Sequence, residues 1–272
     1  MEYHTYPPDP DLGTLIKCHW TLHIPKEVPK GRQQVLSDGC MDLIFNFGDE
    51  VYRILPDETH LVQPTSFVLG QITRPMWIEP MGEVETFAVR FRPGSFSYFT
   101  RRPMTDMADQ DTPLSELFAE QRVRELEAEI SKASETSERI SLIERFLLGV
   151  LEITVEPSAL CQSVIDQILE TKGSSSVKAM LQGQSNQRRR LEREFAQRVG
   201  TSPKQLCRAI RLQQALKTML EGKKKLTEVG HENEYFDQAH FIKDFKDFTG
   251  VSPKEFYTDD HFLLSSLLYA ED

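Results

Sequence analysis

Residues 188–206 read RRRLEREFAQRVGTSPKQL, and residues 238–256 read QAHFIKDFKDFTGVSPKEF. Phe195, Gly200, Ser202, Pro203 and Lys204 recur at an offset of 50 as Phe245, Gly250, Ser252, Pro253 and Lys254. In the same register Leu191, Arg193, Glu194 and Leu206 match Phe241, Lys243, Asp244 and Phe256. A fixed offset with shared chemistry marks two copies of one structural unit. Within each copy the apolar residues stand four apart, Leu191 with Phe195 and Phe241 with Phe245, so each pair lies on one buried helix face while Arg193 or Lys243 points outward. Each helix then meets a glycine suited to the left-handed position after a helix end. The Ser-Pro that follows supplies a cap and a first-turn proline for the next helix.

The helix that starts at Pro203 is expected to run to Glu221, since Leu206, Ile210, Leu212, Ala215, Leu216, Met219 and Leu220 recur at helical spacing before Gly222. At ~1.5 Å per residue it would hold the two units roughly 25–30 Å apart, close to the ~34 Å of one duplex turn. Shorter helices are predicted upstream of each repeat, over 177–181 and 226–231, which completes two helix-turn-helix units. The net charge of −10 conceals an asymmetry: residues 1–157 carry −11, residues 158–258 carry +5 and the last 14 residues carry −4. The basic charge is thus concentrated where the repeats lie, as a nucleic-acid partner requires.

Residues 160–257 resemble the DNA-binding domain of the AraC/XylS family of transcription regulators. The phrases that carry the resemblance are RLEREF at 190–195, SPKQL at 202–206, RLQQA at 211–215, YFDQAHF at 235–241 and FTGVSPKEF at 248–256. The resemblance implies a sequence-specific regulator that binds double-stranded DNA, with groove-facing positions at Arg189, Glu192 and Arg193 in the first unit and Gln238, Ala239 and Lys243 in the second. Arg193 and Lys243 suit guanine O6/N7, and Gln238 suits adenine N6/N7. Arg188 and Arg190 are assigned to phosphate. The alternative for this basic run is a solvated, charged helix start, and for Glu192 a surface pair with a neighbouring arginine. Arg211 is expected to be structural. The chain departs from the family pattern at Gln187, where a serine cap is usual, leaving the cap to Ser185 or Asn186. It departs again at Gly230, where alanine is usual, and at Glu234, where a turn glycine is usual and a side chain is costly. The first unit is therefore expected to carry more of the sequence-specific affinity.

The fold expected is α+β in two domains: a cupin-like β-barrel over 1–112 with a helical pair over 113–157, then the all-α DNA-binding domain over 158–258 with two helix-turn-helix units joined by a long helix, and an amphipathic tail over 259–272. Strands are predicted over 15–24, 42–47, 51–55, 65–70 and 85–91 from short β-rich runs broken by Pro and Gly, a pattern that suggests an all-β barrel or sandwich. The phrases SDGCMDLIFN at 37–46 and FAVRFRPG at 87–94 resemble a cupin-like sensor domain, which implies a barrel with room for a small effector. Asp42, Arg90 and Arg92 alternate with apolar neighbours, so an arginine there either binds an anionic ligand or pairs with Asp42. His19 and His23 read as surface or strand-edge residues. No metal, cofactor or catalytic residue is expected, since the histidines lack a His-x-His spacing and Cys18, Cys40, Cys161 and Cys207 are scattered. The cysteines read as reduced, buried thiols.

The helical pair either packs on its own barrel or forms a homodimer, and Glu156-Pro157-Ser158 reads as the hinge. The chain shows no signal peptide and no apolar run near ~18 residues, so a cytoplasmic, non-enzymatic regulator without a membrane partner is expected, contacting RNA polymerase if it activates. Two other classes remain: a protein-interaction module with degenerate DNA binding, and a cupin-type metalloenzyme.

Overall fold

The computed structural model describes residues 1–28, 31–151, 158–181, 185–221 and 224–256. The hinge residues Glu156 and Pro157, Gly222 and the tail over 259–272 lie outside the described residues. The N-terminal half is built on antiparallel strands, β1 (Glu2–Tyr6), β2 (Ile16–Ile24), β3 (Gln33–Val35), β4 (Met41–Asn46), β5 (Val51–Ile54), β6 (His60–Val62), β7 (Ser66–Leu69), β8 (Met76–Pro80), β9 (Val84–Phe91) and β10 (Asp111–Pro113). They form a six-stranded sheet in the order β1-β2-β9-β4-β7-β10 and a four-stranded sheet in the order β3-β8-β5-β6. The five strands read from sequence are all present. The other five are short or polar, such as β6 (HLV) and β10 (DTP), and only pairing with a neighbour makes them strands.

Successive side chains in a strand face opposite sides, and in the six-stranded sheet both sides are covered. Trp20, Leu22, Ile24, Ile44, Phe67 and Leu69 face the four-stranded sheet and pack with Met76, Val35 and Ile78. Leu43, Phe45, Val68, Phe87, Val89 and Phe91 face the other way, into a core shared with helices. These are α1 (Leu114–Leu117), α2 (Glu120–Lys132) and α3 (Thr136–Val150). The buried stripe Val123, Leu126 and Ile130 of α2 and Ile143, Phe146 and Leu147 of α3 repeat at three- and four-residue steps and close that core. The helical pair therefore packs on its own sheet.

This covering corrects the expectation for His19. Its face of β2, opposite Cys18, Trp20 and Leu22, does not meet solvent. That face meets α3. His19 is fully buried, stacks on Phe87 and places Nε2 2.9 Å from Glu144 Oε1. Burial, the largest influence, lowers its pKa in spite of the Glu144 carboxylate. His23 is half-buried at the surface of the sheet and bonds Glu83.

The C-terminal half is helical: α4 (Ala159–Glu170), α5 (Val177–Met180), α6 (Arg188–Arg198), α7 (Pro203–Glu221), α8 (Leu226–Glu232), α9 (Gln238–Thr249) and α10 (Pro253–Phe256). Ser158 caps α4 and Ser176 caps α5. The spine is α7, because it belongs to two cores. Leu206 and Ile210 pack with Leu191, Phe195 and Ile165, whereas Leu212, Ala215, Leu216 and Met219 pack with Val229, Phe241 and Phe245.

The two-sheet domain rests on this spine. Leu36 joins the α7–α9 core, and a Cβ at Gly39 would come within 2.8 Å of Leu206 Cδ1. Next to the end of α6, a Cβ at Gly200 would stand 2.9 Å from the Met104 carbonyl oxygen. The loop 36–40 and the segment 94–104 thus contact the first unit and the helix that joins both units.

Candidate nucleic-acid interface and barrel cavity

The two repeat copies fold alike. Gly200 and Gly250 adopt φ of 85° and 77°, the left-handed region that glycine enters without steric cost. After each, serine and a residue three further on exchange bonds with backbone. Gln205 N donates to Ser202 Oγ and Ser202 N to Gln205 Oε1. Glu255 N donates to Ser252 Oγ and Ser252 N to Glu255 Oε2. These are capping boxes.

On α6, Leu191 and Phe195 are fully buried, which turns Arg188, Arg189, Arg190, Glu192 and Arg193 outward, all exposed. The arginines are not equivalent. Arg188 Nε lies 3.0 Å from Glu192 Oε1 and Arg190 Nε lies 2.9 Å from Glu194 Oε1. Arg189 and Arg193 carry no ion pair among the described residues and stand four apart, one above the other on the helix. The structure thus joins Glu192 to Arg188, the surface pair weighed from sequence. The start of α6 also differs from expectation. Residues Ser185–Gln187 form a 3-10 turn that runs into the helix, and Gln187 takes the cap position with no side-chain cap bond.

On α9, Phe241 and Phe245 are fully buried and Gln238, Ala239 and Lys243 are exposed. Asp237 caps the helix by accepting from His240 N at 2.7 Å. Glu234 adopts φ 54°, the left-handed backbone expected there, and Arg211 is structural, donating from Nε to the Gly173 carbonyl with its guanidinium over the Tyr235 ring.

Sequence reasoning missed what holds each helix from behind. The repeat-matched acids Glu194 and Asp244 both turn inward. Glu194 accepts from Ser158 Oγ, the cap of α4, and from Arg190. Burial would raise its pKa, but these bonds and the charges of Arg190 and Arg198 hold it below the usual value. Asp244 accepts from Arg208 of α7 at 2.9 and 3.2 Å, and the same guanidinium reaches Asp247 at 2.7 Å. The pairing of Glu194 with Asp244 in the repeat was the available signal. Its meaning needed the neighbouring helices. Also missed was Phe236, 92% exposed in the turn before α9.

Residues 185–258 match a family described as a helix-turn-helix domain. The chain carries an AraC-type helix-turn-helix domain. Ahead of this AraC-type domain, residues 4–113 match a family described as a domain of unknown function (DUF6597). Among solved structures, the chain is similar to ToxT from Vibrio cholerae at 11% identity and a TM-score of 0.49, over 95% of this chain and 98% of that one. It is similar to ToxT bound to an unsaturated fatty acid at 13% identity and a TM-score of 0.46, over 87% and 92% of the two chains. For ToxT bound to (E)-4-(8-methylnaphthalen-1-yl)but-3-enoic acid the values are 12%, 0.49, 95% and 99%. No curated protein matches the chain in sequence.

The domain that precedes the AraC-type units holds a cavity of about 100 Å³ between its two sheets. Leu22, Ile44, Phe67, Leu69 and Ile78 are among the apolar residues of its wall, and Asp42 and Arg90 are its ionisable side chains. Arg90 Nε donates to Asp42 Oδ1 at 3.0 Å, so the salt bridge weighed from sequence is present. Arg92 is exposed and donates to the Gly13 carbonyl, which removes it from the interior positions considered. All four cysteines are buried and free. Among the described residues no group of three or more His, Cys, Asp or Glu side chains is placed to hold a metal ion, and no helix is long and apolar enough to cross a membrane.

Proposed function

We propose that the chain is a sequence-specific transcription regulator of the AraC type, whose two repeat-related helices α6 and α9 read double-stranded DNA and whose barrel domain takes a small effector. The observation that carries this reading is the pair of exposed helix faces on a shared spine: Arg189 and Arg193 on α6, without an ion pair among the described residues, and Gln238 and Lys243 on α9. Unpaired cations on a helix end that protrudes from a rigid core are what a major groove requires. In this reading Arg189, Arg193, Gln238, Ala239 and Lys243 face bases. Arg188 and Arg190 contact phosphate after leaving their carboxylate partners, and Glu192 either accepts from cytosine or orients Arg188.

Control runs through the contact of the barrel with α7. Arg90 at the cavity also stands 3.5 Å from Asp38, in the loop whose Leu36 and Gly39 press on α7. A shift at the cavity wall is therefore delivered to the helix that sets the spacing of the two reading heads. The same reading takes the protein as cytoplasmic and not an enzyme, with RNA polymerase a partner if it activates and a homodimer formed through the outward face of α2 and α3, where Leu148 is half exposed.

The strained turn at Glu234 favours a second reading, a protein-interaction module with degenerate DNA binding. Affinity for promoter fragments measured against salt separates the two. The regulator neutralises several phosphates, so log K falls steeply with log salt, by about 0.9 per phosphate contacted. A flat dependence would sink the DNA-binding reading.

A further inference from the structure

The cavity between the sheets has a largely apolar wall, interrupted by the uncharged polar side chains Gln33, Asn46, Gln63 and Thr86 and by one charged pair, Asp42 with Arg90, and the chemistry of that charged end selects the ligand. Asp42 on β4 and Arg90 on β9 are register partners. Both side chains enter the same inter-sheet layer, as do Ile44 and Ala88 two residues away on the same strands. The guanidinium is shared between two carboxylates, with Nε at 3.0 Å from Asp42 Oδ1 and Nη1 at 3.5 Å from Asp38 Oδ2. Trp20 Nε1 gives Asp42 Oδ1 a second donor at 2.9 Å. Among the described residues Asp42 Oδ2 has only a long bond, 3.4 Å from Arg90 Nη2. The polar end is thus short of donors at a carboxylate oxygen, and its arginine is already engaged.

We infer that the cavity takes a compact apolar molecule bearing a hydrogen-bond donor, an amine or a hydroxyl, that bonds Asp42 Oδ2, and that it rejects carboxylates of the same size. The inference rests on the reading of the barrel as the effector domain. A ligand carboxylate would stand against Asp42 and Asp38 in a buried, low-dielectric site, where like charges repel strongly. To capture Arg90 it would have to leave Asp42 buried and unpaired. A donor meets no such conflict. It completes the bonding of an acid whose pKa burial raises despite Arg90, and it leaves the pair with Asp38 in place. The aliphatic and aromatic wall, from Leu22, Ile44, Phe67, Leu69 and Ile78, sets the body of the ligand as hydrocarbon.

The test uses the full chain and three probes of one length: hexylamine, hexan-1-ol and hexanoate. Calorimetric titration should show the amine or the alcohol binding at least tenfold more tightly than hexanoate, with a matching rise in Tm. Ile78→Trp, which fills the cavity and leaves the polar pair untouched, should abolish the rise. Asp42→Asn should shrink the preference for the amine over hexanoate at least threefold. Binding of hexanoate as tight as the others, no binding by any probe, or a shift that persists in Ile78→Trp would each overturn the inference. DNA binding of the same sample is measured in parallel. Loss of salt-dependent DNA affinity with the ligand ranking intact refutes the regulator reading alone, whereas intact DNA binding with the ranking reversed refutes the ligand class alone.

Discussion

Removing Arg208 tests how the second reading helix is held. Its guanidinium lies 2.9 and 3.2 Å from Asp244 Oδ1 and 2.7 Å from Asp247 Oδ2, and 5.1 Å above the Phe248 ring. The Asp244 side chain is 7% exposed and that of Arg208 26%. In Arg208→Ala the Asp244 charge stays buried, and its remaining ion-pair contact among the described residues is His240 Nε2 at 3.8 Å. Stranding one partner of a fully buried pair costs about 3–5 kcal/mol, and the partial exposure of Arg208 reduces this to about 2–3 kcal/mol. The lost contact with Phe248 adds about 0.5–1 kcal/mol, for a total of roughly 3 kcal/mol. Urea unfolding should show this as a lower midpoint at unchanged slope. The diagnostic is the double variant: Asp244→Asn placed on Arg208→Ala removes the stranded charge and should recover about 1–2 kcal/mol of what was lost. A double variant no more stable than Arg208→Ala alone would refute the argument from a buried charge.

Arg193→Ala is expected to weaken binding to a specific site by about 1–3 kcal/mol and to relax preference at one base pair. Arg188→Ala should weaken all sequences alike, and identical profiles for the two across a set of point-mutated sites would show that the sorting of contacts is wrong. Gly230→Ala should stabilise the protein by about 0.5–1 kcal/mol, since Gly230 lies within α8 and a Cβ there meets Phe241 at an ordinary 3.6 Å; a fall in thermal midpoint would contradict this. Acid should loosen the contact between α3 and the sheet. Burial depresses the pKa of His19 in the folded state, so its neutral form is fully stabilising above the unfolded value of about 6.5 and stability is lost as pH falls below it. The slope of stability between pH 7 and 5 should flatten in His19→Gln, and an unchanged slope would remove His19 as its cause.

Much of the fold was legible in the sequence because its signals are local. The spacing of Leu191 and Phe195, the glycine after each helix and the Ser-Pro that follows act within a few residues of themselves, and copying them at an offset of 50 doubled the signal. The five strands with β-rich runs bounded by Pro or Gly were legible for the same reason. The edge and short strands were not, since β6 and β10 have no pattern of their own and become strands by pairing. His19 was misjudged because a period of two tells which residues share a face but not what covers that face.

The same division runs through the sites. The sequence by itself determined that two like helices end in Gly-x-Ser-Pro turns, that they share a long helix and that basic charge gathers there, because periodicity, capping and charge are properties of neighbours along the chain. Only the tertiary structure decided which arginines pair with a carboxylate on the same helix, Arg188 and Arg190 and, among the described residues, not Arg189 or Arg193, and that Glu194 and Asp244 turn inward to Ser158 and Arg208. It alone decided that Arg90 serves Asp42 and Asp38 together at the end of an apolar cavity. Ion pairing and burial depend on distances of a few ångströms between residues far apart in the chain, and only packing sets those.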